Sequence, residues 1–286
     1  MINYYLLTKP GIILGNLITV AAGFLLASRG EIQIGLFFAT LIGLGLIIAS
    51  ACVLNNDIDR AIDRKMERTK NRPLAAGLIS RFHAILFALI LAIMGNGLLF
   101  FYTNLLTVCV ANIGFFVYVI LYSLWKSRTI YGTAIGSIAG AVPPVVGYCA
   151  VTNHFDLGAL ILFTLLVLWQ MPHFFSIALF RIDDYTAAKM PLLPIKKGIL
   201  RTKIHMLLYI LGFTMTSVLL TVFGYTGYVY STTVFILGLA WIALCLKGFK
   251  TTDDQLWGTH MFRLSLVIIT IMSCVIPLDL YFTHSP

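Results

Sequence analysis

Between Asn55 and Arg72 the chain reads NNDIDRAIDRKMERTKNR, four acids and six bases within eighteen residues. At four-residue spacing, Asn55, Asp59 and Asp63 drift only about 40° per step around a helix, so the three share one face while Asp57 points away. Such a stripe presents amide and carboxylate oxygens, which suit a hard divalent cation. Mg2+ in particular takes one or two protein carboxylates and completes its shell with water and phosphate oxygens. The neighbouring bases Arg60, Arg64, Lys65, Arg68, Lys70 and Arg72 match a phosphate charge. A plainer reading stands beside this one: a solvated loop of i,i+4 ion pairs that anchors a cytoplasmic face.

A second group of the same kind opens with Arg181, Asp183, Asp184 and Tyr185 and continues through Lys189, Pro191, Pro194, Lys196 and Lys197. Between the two lies Trp169-Gln170-Met171-Pro172-His173, polar residues in an otherwise apolar stretch. Polar groups are costly in a membrane and find partners or line cavities there. His173 precedes Asp184 by eleven residues, roughly 16 Å deeper along a helix, so a flat lipophilic molecule fits between imidazole and acids. An interhelical hydrogen bond accounts for a lone histidine equally well.

The elements that must position these residues are membrane helices. With 59% hydrophobic residues, 11% charged and a mean hydropathy of +0.94, the chain is a polytopic membrane protein. Apolar stretches long enough for a roughly 30 Å hydrocarbon core run over about 10–28, 34–54, 83–101, 104–122, 132–151, 157–180, 204–223, 228–247 and 263–282, giving nine all-α spans in one domain, 1–286. With the N-terminus cytoplasmic and the C-terminus outside, 19 of the 20 Lys and Arg fall on the cytoplasmic side, and only Arg29 lies opposite. The net charge of +9 is therefore a topology signal rather than a nucleic-acid footprint. Both charged segments, about 55–82 and 181–203, share that side. The first apolar stretch runs into a full span with no cleavage site, which points to a retained helix and a bacterial cytoplasmic (inner) membrane. The five single cysteines read as small buried hydrophobes. Pro143-Pro144 is expected to break the fifth helix and Pro172 to kink the sixth.

Asn55-x3-Asp59-x3-Asp63 at the cytoplasmic end of a second helix resembles the first aspartate-rich motif of the UbiA superfamily of intramembrane prenyltransferases. Met66-Glu67-Arg68-Thr69-x2-Arg72-Pro73-Leu74, the AVPPVVGY stretch, Trp169-Gln170-Met171-Pro172-His173-Phe174 and Asp184-Tyr185 with Met190-Pro191 are similar to the heme O synthase (protoheme IX farnesyltransferase) branch. The resemblance runs from Lys9-Pro10-Gly11 at least to the seventh helix. It implies a helical bundle around a central cavity and a Mg2+-dependent transfer of farnesyl from farnesyl diphosphate to a vinyl group of heme B, with addition of water, giving heme O. It further implies Asn55, Asp59, Asp63 and Asp184 as metal ligands, and Arg64, Arg68, Arg72, Lys126, Arg128 and Lys189 as diphosphate partners. His173 would contact heme, and heme A synthase or a terminal-oxidase assembly would be partners. One departure stands out: Ala187 and Ala188 occupy the positions four residues after Asp183 and Asp184, so the superfamily's second DxxxD is reduced. Alternatives left open are a prenyltransferase acting on a quinone precursor or (bacterio)chlorophyllide, a membrane transporter, and a non-catalytic heme-binding assembly subunit.

Overall fold

A computed structural model describes the backbone of residues 2–284 and the side chains of residues 2–279. Among the described residues nine helices are long and apolar enough to cross a membrane. We number them α1 (Pro10–Ser28), α2 (Ile34–Asp63), α3 (Arg81–Tyr102), α4 (Leu105–Trp125), α5 (Gly132–Thr152), α6 (Leu157–Phe180), α7 (Ile199–Val222), α8 (Tyr228–Lys247) and α9 (Asp254–His284). Short helices Ile2–Leu7, Ile182–Ala187 and Leu193–Lys197 lie outside the spans.

The helices close on one another: α1 packs on α2, α5 and α9, α2 on α3, α4 on α5, α5 on α6, and α6 on α7 and α9. Small residues set how near they come. A Cβ on Gly23 would collide with the Pro144 carbonyl, and one on Gly147 with the Val20 carbonyl, so α1 and α5 touch backbone to backbone. The side chains on the outer face, such as Phe101, Leu208 and Met215, are exposed apolar groups that suit lipid. Cys52, Cys149 and Cys245 are buried as expected, whereas Cys109 and Cys274 lie on that outer face.

Three expectations need correction. First, the segment 55–82 is not loop from its start: α2 continues past residue 54 to Asp63, so the acidic stripe stands on a helix as its spacing requires. Burial of Asn55, Asn56, Asp59 and Asp63 explains this, since each side chain finds a partner or a pocket without breaking the helix. Second, α5 runs unbroken through Pro143-Pro144, where a break was expected; α6 is likewise continuous through Pro172. The prolines are buried within the bundle, where packing against neighbouring helices holds the backbone in place. Third, α7 and α9 begin earlier than hydropathy indicates, at Ile199 and Asp254, where an ion pair between buried Lys203 and half-buried Asp254 (2.5 Å) joins their polar starts.

Candidate functional site

Two adjoining chambers occupy the bundle. The larger, about 570 Å3, is lined mainly by apolar side chains of α1, α2, α4, α5, α6 and α9, and His173, Gln170 and Asn16 contribute its polar groups. The smaller, about 280 Å3, is lined by Lys9, Asn55, Asp59, Asp63, Arg68, Arg72, Lys126 and Tyr185 among others. Ile12, Tyr118, Tyr122, Phe174 and Ile177 line both chambers, so these side chains form the passage between them.

In the polar chamber each of the three stripe residues, Asn55, Asp59 and Asp63, is met by a cation. Arg72 Nη1 donates to both carboxylate oxygens of Asp63 at 3.0 Å, Lys126 pairs with Asp59, and Lys9 Nζ donates to Asn55 Oδ1 at 2.7 Å. Asn55 also donates to Ser123 Oγ at 3.1 Å. Asp59 and Lys126 are each only 8% exposed, and Asp63 only 2%. Burial pulls the Lys126 ammonium below its ordinary value, with Asp59 pushing back, and burial brings Lys9 down to about 8. Both ammonium groups stand against oxygens of the stripe, Lys9 on Asn55 and Lys126 on Asp59.

The donor set fits Mg2+. Asp59 Oδ1 is buried and has no hydrogen-bond partner, a costly state that a cation would relieve. Among the described residues, however, no group of three or more His, Cys, Asp or Glu side chains stands ready to hold a metal. A site with one or two carboxylates and an amide oxygen must draw further ligands from water and phosphate, which is how Mg2+ is usually held.

Of the other sequence-derived residues, Arg68 lines the chamber and lies 5.9 Å over the Tyr185 ring, bridging the charged segments that follow α2 and α6. Arg64 does not: its guanidinium donates to the Ala75 carbonyl at 2.8 Å and ties down its own loop. Arg128 and Lys189 are exposed and line neither chamber. Asp184 is half-buried on the short helix Ile182–Ala187 and also lines neither chamber. Asp183 accepts from Gln255 at 2.9 Å on the surface, and Asp57 pairs with Arg81 at 2.9 Å, away from the stripe as its helical phase requires. Glu67 and Lys70 do form an exposed ion pair, the plainer reading realised at that one place.

Sequence reasoning assigned no site role to Lys9, Tyr118 or Tyr122. Lys9 has a left-handed backbone (φ 53°), uncommon for a non-glycine residue, and this turns its side chain from the start of α1 into the pocket. A Lys directly before the Pro-Gly that starts a helix was the available signal. Tyr118 and Tyr122 lie on a π-helical segment of α4, Val117–Tyr122, with rings stacked at 5.5 Å. The wider helical turn brings both to the passage and lets Ser123 reach Asn55, a use of π-helix that sequence periodicity does not reveal.

Residues 16–267 match the UbiA prenyltransferase family. The chain belongs to this family. It is 62% identical over 281 residues to the protoheme IX farnesyltransferase of Protochlamydia amoebophila, covering 98% of this chain and 99% of that protein. It is 52% identical to protoheme IX farnesyltransferase 2 of Pseudomonas paraeruginosa, covering 97% and 94%. The fold of this UbiA-family chain is shared by a digeranylgeranylglyceryl phosphate synthase, with a TM-score of 0.80 at 20% identity, covering 97% of both chains. It is also shared by a UbiA homolog from Archaeoglobus fulgidus bound to GPP and Mg2+, with a TM-score of 0.72 at 16% identity, covering 96% of this chain and 99% of that one.

Proposed function

We propose that this UbiA-family protein is a protoheme IX farnesyltransferase: it moves the farnesyl group of farnesyl diphosphate onto a vinyl group of heme B, and water completes the product, heme O. The observation that carries this reading is the junction of a buried acid-and-base pocket with an apolar chamber that contains a histidine. One end suits a diphosphate and the other a lipophilic chain and a flat, metal-bearing acceptor. The near full-length similarity to proteins named for this reaction supports the choice of acceptor.

In this reading Asn55, Asp59 and Asp63 would hold Mg2+, which would supply neutralisation of charge on the departing pyrophosphate. Lys9, Arg72 and Lys126 turn from their present carboxylate and amide partners, and Arg68 from the Tyr185 ring, towards phosphate oxygens. As the allylic C–O bond breaks, its electron pair leaves with pyrophosphate, and these cations stabilise the charge. The vinyl π electrons then form the new C–C bond, and water captures the cation left beside the macrocycle and loses a proton. The aromatic and apolar side chains of the passage, Tyr118, Tyr122, Phe174 and Ile177, keep bulk water from the allylic cation until the vinyl group reaches it. Asp184 completes the metal site only if the short helix that carries it moves inward, and Lys189 and Arg128 act from outside the chamber, guiding the anion. Arg64 supports the loop. The acidic pocket faces the cytoplasm of a bacterial inner membrane, with the C-terminus outside, and heme A synthase or an oxidase assembly receives the product.

Purified protein in detergent, given heme B, farnesyl diphosphate and Mg2+, is expected to yield a hydroxyethylfarnesyl heme by mass spectrometry, and an Asp59→Ala variant is not. Transfer to a quinone precursor or chlorophyllide instead of heme would overturn the acceptor. Unchanged transfer by Asp59→Ala would overturn the site.

A further inference from the structure

His173 is fixed from three sides. Its ring stacks on Trp169 (centroids 4.7 Å, 22° between planes), packs against Phe262 (5.0 Å) and meets Ser265 Oγ through Nδ1 at 2.7 Å. Ser265 Oγ also lies 2.6 Å from the Phe262 carbonyl oxygen. A hydroxyl has one proton, and a carbonyl only accepts. If that proton pointed at Nδ1, two oxygens 2.6 Å apart would face each other with lone pairs and no hydrogen between them, in an apolar interior. The Ser265 proton therefore belongs to the Phe262 carbonyl, and the Nδ1 contact requires Nδ1 to be the donor. A neutral imidazole carries one N–H, so Nε2 is bare.

Building on the heme reading above, we infer that Ser265 is a positioning residue: it takes the Nδ1 proton of His173 and so presents Nε2, with its unshared pair, to heme iron in the apolar chamber. A histidine that ligates a metal characteristically donates its other ring N–H to such a partner, which sets the tautomer and the ring direction. A ring flip would put a carbon where Ser265 Oγ now accepts. The Trp169 indole N–H donates to the Ser265 backbone carbonyl at 2.9 Å, locking α6 to α9 at this same residue whatever its side chain. Substitution of the hydroxyl thus removes the tautomer control and leaves that interhelical bond.

Two readouts test this on the full chain in detergent. The first needs no heme: 15N-histidine NMR, with the His173 signal identified by its loss in His173→Gln, is expected to show Nδ1–H in the parent and in Ser265→Thr, and a shift toward Nε2–H in Ser265→Ala. An Nε2–H imidazole in the parent overturns the inference. The second is the ferrous heme B complex. Resonance Raman is expected to show an iron–histidine stretch that is absent in His173→Gln, lowered in Ser265→Ala and restored in Ser265→Thr, with heme binding weakened on the order of 10-fold in Ser265→Ala. A stretch that persists in His173→Gln removes His173 as ligand and the inference with it. A stretch lost in His173→Gln but unchanged in Ser265→Ala overturns the role of Ser265 alone and leaves the heme site standing.

Discussion

Replacing Lys126 by Met tests whether the polar chamber is held together by cations that stand in for its ligands. Lys126 and Asp59 are each 8% exposed and paired, and the second Asp59 oxygen already lacks a partner. Removing one member of a buried pair leaves an uncompensated charge and costs about 3–5 kcal/mol, whereas removing both charges at similar volume costs little. Lys126→Met and Asp59→Asn are thus each expected to destabilise by roughly 3 kcal/mol, and the double variant, which leaves no charge unpaired, by less than either alone. The resulting coupling is about 3 kcal/mol or more, at the upper end of measured contact pairs. Denaturation of the four proteins in mixed micelles gives the cycle. Repeating it with Mg2+ adds a functional readout, since a divalent ion should stabilise Lys126→Met more than the parent by taking the ammonium's place beside Asp59. Energies that add to within about 0.5 kcal/mol would show that the pair is not coupled and would refute the reasoning. A Mg2+ response no larger in Lys126→Met than in the parent would remove Asp59 from the metal site.

The remaining expectations follow from the same geometry. Chelation of Mg2+ should abolish transfer reversibly, and Asp63→Asn should lower kcat by about 100-fold or more, read by product mass spectrometry. Arg72→Ala should weaken binding of a prenyl diphosphate in calorimetry, because Arg72 lines the chamber, while Arg64→Ala should leave that affinity unchanged and lower only thermal stability, because Arg64 serves Ala75. Equal effects of the two arginines would refute this division. Gly147→Leu should destabilise by at least ~1–3 kcal/mol, since even a Cβ there meets the Val20 backbone, which cannot move aside as a side chain can. Normal stability in denaturation would show that α1 and α5 are not held this close.

Membrane character, the nine spans and the phase of Asn55, Asp59 and Asp63 were all legible in the sequence, because lipid demands runs of apolar residues and a helix repeats every 3.6 residues. Which basic residues serve the site was not. Arg64, Arg68 and Arg72 look alike in sequence, yet one ties down a loop, one bridges to Tyr185 and one grips Asp63, since long side chains are directed by whichever acceptor the fold brings near. Lys9 is 46 residues from Asn55 and Lys126 is 67 from Asp59, separations across which local pattern carries no information. The proline pair of α5 misleads for the same reason: local chemistry argues for a break, and packing against neighbouring helices in a medium without water keeps the helix whole. His173 was visible as a polar residue in an apolar span. Its tautomer and direction depend on Ser265, 92 residues away on α9, and only the tertiary structure brings those two side chains together.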